Sequence, residues 1–105
     1  MQGGAAQGIG WALNEAFCFD HNGVLENAGF LDYRMPVASD LPMIDTVIVE
    51  VPHPDHPLGV RGVGETPICA PMPAVVTALN AAAGIRLTEV PLTPSRVLEA
   101  ILAGG

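Results

Sequence analysis

The chain has 105 residues and a mass of 10.9 kDa, a size that allows one small folding unit and excludes two. Half of the residues are hydrophobic and only 14% are charged, which excludes the composition of a disordered chain. Eleven acidic residues against four arginines give a net charge of −7, so nucleic acid and anionic membranes are poor partners.

The first predicted element is a helix from Gly4 to about Phe17. Its apolar face recurs at helical spacing: Ala5, Ile9, Ala12, Leu13 and Ala16. Glycines at positions 3, 4, 8 and 10 each cost such a helix roughly 0.5–1 kcal/mol relative to alanine. Either the helix backbone packs very close to another segment, or a ligand approaches bare amides near the helix start.

A hairpin and a loop are predicted to follow. Residues 17–27 favour a hairpin, because Asn22-Gly23 provides the positive φ angles of a tight turn. Residues 28–42 are broken by glycine and proline and are predicted to form a loop. Its large apolar side chains are nevertheless expected to be buried: Phe30, Leu31 and Tyr33.

The middle of the chain combines a strand pattern with a long irregular stretch. Ile44–Val51 alternates and is rich in β-branched residues, which predicts a strand. The stretch Pro52–Pro73 holds six prolines and three glycines. A loop of this length in a short chain is usually functional or disordered.

The last third predicts two helices around a second strand. The first begins at Pro73 and stops at Gly84, and the second has Thr93 as its N-cap and ends before Gly104. Between them, residues 85–90 are predicted to be a strand. We therefore expect an α+β fold, with a small mixed sheet, two longer helices and a short C-terminal helix.

The most distinctive motif is the Gly-x-Gly-Glu loop that ends at Glu65. Gly62 and Gly64 would allow a positive φ or the close approach of a bulky ligand. Glu65 lies next to an apolar run, where desolvation would raise the pKa of its carboxyl group and suit it to acid or base catalysis. Alternatively, Glu65 pairs with Arg61 or caps the next helix.

Other candidate features point to structure more than to chemistry. His53 and His56 could form a metal pair, but no further ligands follow at a suitable spacing, so a solvated loop is the alternative. Cys18 and Cys69 are expected to be free, buried thiols. The uncharged stretch 66–85 contains prolines and is not expected to span a membrane. Since the N-terminus also lacks a signal-peptide pattern, we expect a cytoplasmic chain.

Four motifs in register carry a resemblance to a known family. They are GGAAQGIG at 3–10, FLDYRMP at 30–36, GVRGVGETP at 59–67 and LTPSRVL at 92–98. Together they resemble the C-terminal end of the molybdenum-binding subunit of the xanthine dehydrogenase and aldehyde oxidase family. The resemblance covers Met1 to about Leu102, and it implies that residues 1–105 are a portion of a molybdopterin-binding domain.

The resemblance also implies site residues. In that family the glutamate of the Gly-x-Gly-Glu loop is the catalytic base, and Glu65 falls on it. The family's Gln-Gly pair lies against the molybdopterin, and Gln7 and Gly8 match it. Gly62 and Gly64 would border the same cofactor. No protein side chain ligates molybdenum in the family, so no metal ligand is expected here.

The implied activity is oxidative hydroxylation of an aldehyde or an N-heteroaromatic substrate, with water as the oxygen source. It would require the remainder of the molybdenum subunit, a pterin dinucleotide, and subunits or domains that carry [2Fe–2S] and FAD. Because family members have a molybdenum subunit several times longer, the chain alone is expected to be inactive, as a piece of something larger. The alternative is a non-catalytic remnant, or a homo-oligomeric interaction module, that keeps the motifs by descent.

Overall fold

The computed structural model describes residues 1–104. It contains three α-helices: α1 (Gln2–Leu13), α2 (Pro71–Ala83) and α3 (Pro94–Leu102). Two single 3₁₀ turns, Ala38–Asp40 and Thr66–Ile68, lie between α1 and α2. The predicted two longer helices and short C-terminal helix are present, although α1 ends at Leu13 rather than near Phe17.

Packing rather than local propensity stabilises α1. No side chain caps its start at Met1, and its glycines disfavour an isolated helix. Its buried positions are Gly4, Gly8, Gly10 and Ala12. Of the apolar face predicted from the sequence only Ala12 is buried, because the helix uses its smallest residues to approach the rest of the chain.

α2 begins at Pro71, two residues before the predicted start at Pro73, and it stops at Gly84 as predicted. Pro71 lies in the first turn, where a missing N–H costs nothing, and Gly84 ends the helix in the left-handed region at φ 65°. The helix packs against α1 and against the 3₁₀ turn at Thr66–Ile68. By length and composition alone, residues 66–83 resemble a membrane span. Only the 13 residues of α2 are α-helical, however, and at 1.5 Å each they reach about 20 Å against the roughly 30 Å of a bilayer core.

The predicted turn of the hairpin forms. Gly23 has φ 80°, and the Asp20 N–H donates to the Val24 carbonyl at 2.9 Å. Backbone N–H groups of Val24 and Asn22 also donate to the Asp20 carboxylate, each at 2.8 Å, and these bonds lower the pKa of Asp20. Pairing beyond the turn is limited to one antiparallel bridge between Phe19 and Leu25.

The expected mixed sheet is absent from residues 1–104, so this part of the fold prediction is not confirmed. Residues 44–51 form no strand, because no neighbouring segment pairs with them and strand propensity depends on such pairing. Residues 85–90 form none either. The Asn80 side chain occupies both backbone polar groups of Leu87, accepting from its N–H and donating to its carbonyl, each at 3.0 Å.

The core is small and lies where α1 ends. Its buried apolar residues are Ala12, Ile85 and Leu92, and the Leu92 N–H donates to the Ala12 carbonyl at 2.6 Å. Several residues expected to be buried are instead exposed in the described chain, since this core is too small to enclose them: Phe30, Leu31, Cys18 and Cys69.

Candidate functional site

The glycine face of α1 brings two distant motifs into contact. A Cβ atom at Gly4 would lie 3.0 Å from the Gly64 carbonyl oxygen and 3.1 Å from Cβ of Pro67. One helical turn later, a Cβ atom at Gly8 would lie 2.6 Å from the Ile68 carbonyl oxygen. The Gly-x-Gly-Glu loop is therefore seated directly on the backbone of α1.

This contact decides between the two explanations for the glycines of α1. At Gly4 and Gly8 the close neighbour is the chain itself, and Gly10 is likewise approached by the Pro36 ring, at 2.7 Å from a Cβ position. At Gly3 no atom of the described chain lies within 4 Å of that position. Close packing of the backbone thus accounts for three of the four glycines.

Glu65 lies on the exposed side of this contact. It precedes the 3₁₀ turn Thr66–Ile68, and its carbonyl accepts the Ile68 N–H at 3.0 Å. Its side chain is exposed and does not cap the turn. Residues 1–104 therefore do not provide the apolar enclosure that the sequence predicted for this carboxylate.

The sequence left open that Arg61 forms an ion pair with Glu65. In the structure, Arg61 bonds backbone carbonyls instead. Its Nε donates to the Val51 carbonyl at 2.6 Å, and its Nη2 reaches the Pro52 carbonyl at 3.5 Å. The guanidinium therefore ties the start of the irregular stretch Pro52–Pro73 to its middle, at Arg61. Sequence reasoning missed this role, because backbone carbonyls as partners of an arginine leave no motif.

Gly62 and Gly64 differ from the buried glycines of α1, because open space lies where their side chains would stand. Neither has a positive φ, so the first of the two alternatives predicted for these glycines does not hold. No atom of the described chain lies within 4 Å of a Cβ position at either residue. The glycine that needs the left-handed region in this loop is Gly59, with φ 64°, where the chain reverses near Pro52.

Gln7 flanks the contact between α1 and the loop. It lies three residues after Gly4 and one before Gly8, and it is exposed. At helical spacing this position borders the face that meets the loop. Gln7 thus belongs to the part of α1 that lies against the Glu65 loop, with its amide open to solvent.

A cleft of about 600 Å³ opens beside the loop. Residues 47–52 and 58–63 form its two walls, together with Met1. The walls are largely valine and other apolar side chains, and Gly62 and Val63 lie at its edge. The cleft therefore reaches to within two residues of Glu65 along the chain.

His53 and His56 each accept a backbone hydrogen bond within the irregular stretch Pro52–Pro73. Nδ1 of His53 accepts the Asp55 N–H and Nδ1 of His56 accepts the Leu58 N–H, both at 3.2 Å. Within residues 1–104 no three histidine, cysteine or acidic side chains are grouped as metal ligands. The observed bonds favour a structural role for the histidines over a metal pair.

The residues expected to contact a cofactor differ in how open they are. Gln7 offers an amide that both donates and accepts hydrogen bonds, and the space that a Cβ atom would take at Gly62 and Gly64 is open in the described chain. Gly8 is covered by Ile68 and can contribute only by allowing α1 to approach the loop. The exposed Glu65 carboxylate provides a proton acceptor at the same junction.

Comparison with known proteins shows which proteins the chain resembles. A family profile described as a molybdopterin cofactor-binding domain matches residues 1–42. The chain is 39% identical over 100 residues, or 94% of its length, to the xanthine dehydrogenase molybdenum-binding subunit of Escherichia coli O157:H7. It is 42% identical over 104 residues, or 98% of its length, to the aldehyde oxidoreductase of Megalodesulfovibrio gigas.

A solved structure extends the likeness from sequence to fold. The crystal structure of quinoline 2-oxidoreductase from Pseudomonas putida 86 matches 95% of the chain with a TM-score of 0.83 and 36% identity. The chain spans only 11 to 13% of the length of these three proteins. It belongs to the xanthine dehydrogenase and aldehyde oxidase family of molybdenum hydroxylases, where it corresponds to a segment of the large, molybdenum-binding subunit.

Proposed function

We propose that the chain is part of a molybdenum hydroxylase that hydroxylates an aldehyde or an N-heteroaromatic compound, with water as the oxygen source. The names of its relatives support this range of substrates, since they describe a xanthine dehydrogenase, an aldehyde oxidoreductase and a quinoline 2-oxidoreductase. The activity belongs to an assembly with the remainder of the molybdenum subunit and with [2Fe–2S] and FAD on other subunits or domains. The chain alone is inactive in this proposal.

The position of Glu65 carries the proposal. Its carboxylate is exposed, while the backbone that bears it is anchored on the glycine face of α1 through Gly64 and Pro67. A carboxylate held in this way can accept a proton from an oxygen nucleophile in front of it without moving its own backbone. Glu65 is thus the general base, and it holds the abstracted proton on a carboxylate oxygen.

Gln7 and the backbone at Gly62 and Gly64 are proposed to contact the pterin, as a dinucleotide. The bound molybdenum cofactor supplies the two-electron redox and oxygen-transfer chemistry. Gly8 acts indirectly, because only a residue without a side chain lets α1 meet the Ile68 carbonyl. Exposed free thiols at Cys18 and Cys69 support a location in the reducing cytoplasm.

Glu65→Gln tests the role of the carboxylate. In the assembled enzyme that contains this sequence, the substitution keeps the shape of the side chain but removes the proton acceptor. We expect turnover to fall by about 10²–10⁴-fold, with unchanged molybdenum content. Glu26→Gln is the matched control, because Glu26 is also exposed and lies in the hairpin. Undiminished turnover in Glu65→Gln would remove Glu65 from the mechanism.

Native mass spectrometry with metal analysis separates this proposal from the remnant alternative. A tagged chain recovered from its host with a larger partner, molybdenum and a pterin dinucleotide would support a working enzyme. Recovery as a homo-oligomer without molybdenum would favour the non-catalytic module. The two outcomes differ in mass and in metal, so activity need not be known in advance.

A further inference from the structure

Only a few backbone hydrogen bonds close the loop at residues 52–59, which leads to Glu65. Pro52, Pro54 and Pro57 have no N–H group, so they cannot donate to a ladder. The loop closes through few backbone bonds, among them His53 N–H to the Gly59 carbonyl at 3.0 Å and Gly59 N–H to the His56 carbonyl at 2.8 Å. The carbonyl groups where this loop begins, at Val51 and Pro52, accept hydrogen bonds from a side chain instead.

Arg61 is the donor to both carbonyls at the start of the loop. Its Nε bonds the Val51 carbonyl at 2.6 Å, and its Nη2 reaches the next carbonyl, that of Pro52, at 3.5 Å. A guanidinium presents several N–H groups in a planar fork, so it can serve two consecutive carbonyls. Val51 is thereby tied to Arg61.

Glu65 lies between this bond and a second anchor. On the N-terminal side of Glu65 the chain is held at Arg61. Gly64 and Pro67, which flank Glu65, pack against Gly4 of α1. The intervening Gly62 has no Cβ and no close neighbour. The bonds of Arg61 are therefore a restraint on the N-terminal side of the Glu65 segment.

We propose that Arg61 is a positioning residue that orients the Glu65 loop for proton abstraction. This inference rests on the proposed function of Glu65, since it concerns the geometry of that base. Arg61 itself does not contact the reacting atoms. Its effect passes through the backbone from the Val51 carbonyl to Glu65.

The test uses Arg61→Gln and Arg61→Lys in the assembled enzyme. Arg61→Gln cannot span both carbonyls, and we expect kcat to fall by about 10–100-fold, the range that follows when a catalytic group is displaced by up to about 1 Å. KM and molybdenum content should stay unchanged. Arg61→Lys retains one donor point and should recover part of the lost kcat. Hydrogen exchange at the amides of His53 and Gly59 should accelerate in Arg61→Gln.

Arg96→Gln is the matched control, because Arg96 also donates to a backbone carbonyl, that of Pro91 at 3.3 Å, away from this loop. It should leave kcat unchanged. Faster exchange in Arg61→Gln with an unchanged kcat would overturn the proposal, as it would reduce Arg61 to a structural role. If Arg61→Gln fails to assemble, an unreduced kcat in Arg61→Lys would also overturn it. Full turnover in Glu65→Gln would instead refute the proposed base, which is a separate result.

Discussion

A methyl group at position 8 would lie 2.6 Å from the Ile68 carbonyl oxygen and 3.1 Å from Cβ of Pro71. Both neighbours belong to rigid backbone or ring, so they cannot rotate aside as a flexible side chain would. At Gly3, in the same helix, no atom of the described chain lies within 4 Å. The glycines of α1 therefore differ in role, and their neighbours rather than their helical position determine it.

Alanine substitutions at these two glycines should have opposite effects on stability. Gly8→Ala should lower the free energy of unfolding by about 1–3 kcal/mol, as overpacking does, because it separates α1 from the loop. Gly3→Ala should raise it by up to roughly 0.5–1 kcal/mol through helix propensity alone. Thermal or denaturant unfolding measures both. Equal effects of the two variants would contradict the close contact at Gly8.

At the scale of elements, one hydrogen bond attaches the loop 28–42 to the end of α1. The Tyr33 hydroxyl donates to the Glu15 carboxylate at 2.8 Å, and the Tyr33 ring packs against Phe17 with centroids 5.3 Å apart. The bond to Glu15, with burial and the carboxylate charge, raises the pKa of Tyr33 above 10.0. A raised pKa of an acid means that the neutral, donating form is the one stabilised by folding.

The single tyrosine of the chain makes this attachment measurable. Its stabilising effect should be complete below pH 10.0 and should disappear as pH rises through the higher pKa of the folded state. Glu15→Ala should move the phenolate transition, followed by ultraviolet absorbance, down toward the ordinary value. Glu26→Ala should not move it. If the phenolate transition occurred at the same pH in the wild type and in Glu15→Ala, the result would contradict the hydrogen bond between Tyr33 and Glu15.

Elements that depend on local geometry could be predicted from the sequence. Proline at the start and glycine at the end specify α2 through local geometry, and Asn22-Gly23 specifies its turn in the same way. The strands predicted at 44–51 and 85–90 are not present in residues 1–104. A strand requires a partner, and Asn80 instead binds both backbone groups of Leu87.

At the scale of the whole molecule, the chain exposes more surface than a self-contained domain. Its accessible surface is 7939 Å², whereas a globular protein of this mass exposes about 5,600 Å². Its radius of gyration is 17.4 Å, against about 13 Å for a compact domain of this length. Val47 and Val49 are each 81% exposed. These apolar faces are suited to contact with other polypeptide segments.

Hydrogen exchange should show which faces are covered on assembly. In the isolated chain, amides of residues 44–51 should exchange rapidly, because no strand partner protects them. In the assembled enzyme they should slow by at least about tenfold if the segment joins a sheet there. Residues 75–83 of α2 serve as the control, since their amides already bond within the helix in the isolated chain. Equal exchange of 44–51 in both states would contradict such pairing.

Whereas α1 depends on its packing, the order of residues is enough to predict α2, α3, the turn at Gly23, the family resemblance and the candidate base Glu65. These features depend on local backbone preferences or on residue types at fixed spacing, and both can be read from the chain. Only the tertiary structure decided that Gly4 and Gly8 receive the loop, that Arg61 bonds carbonyls instead of Glu65, and that the strand segments stay unpaired. Each of these depends on which distant groups come within a few ångströms, and the order of residues does not specify that.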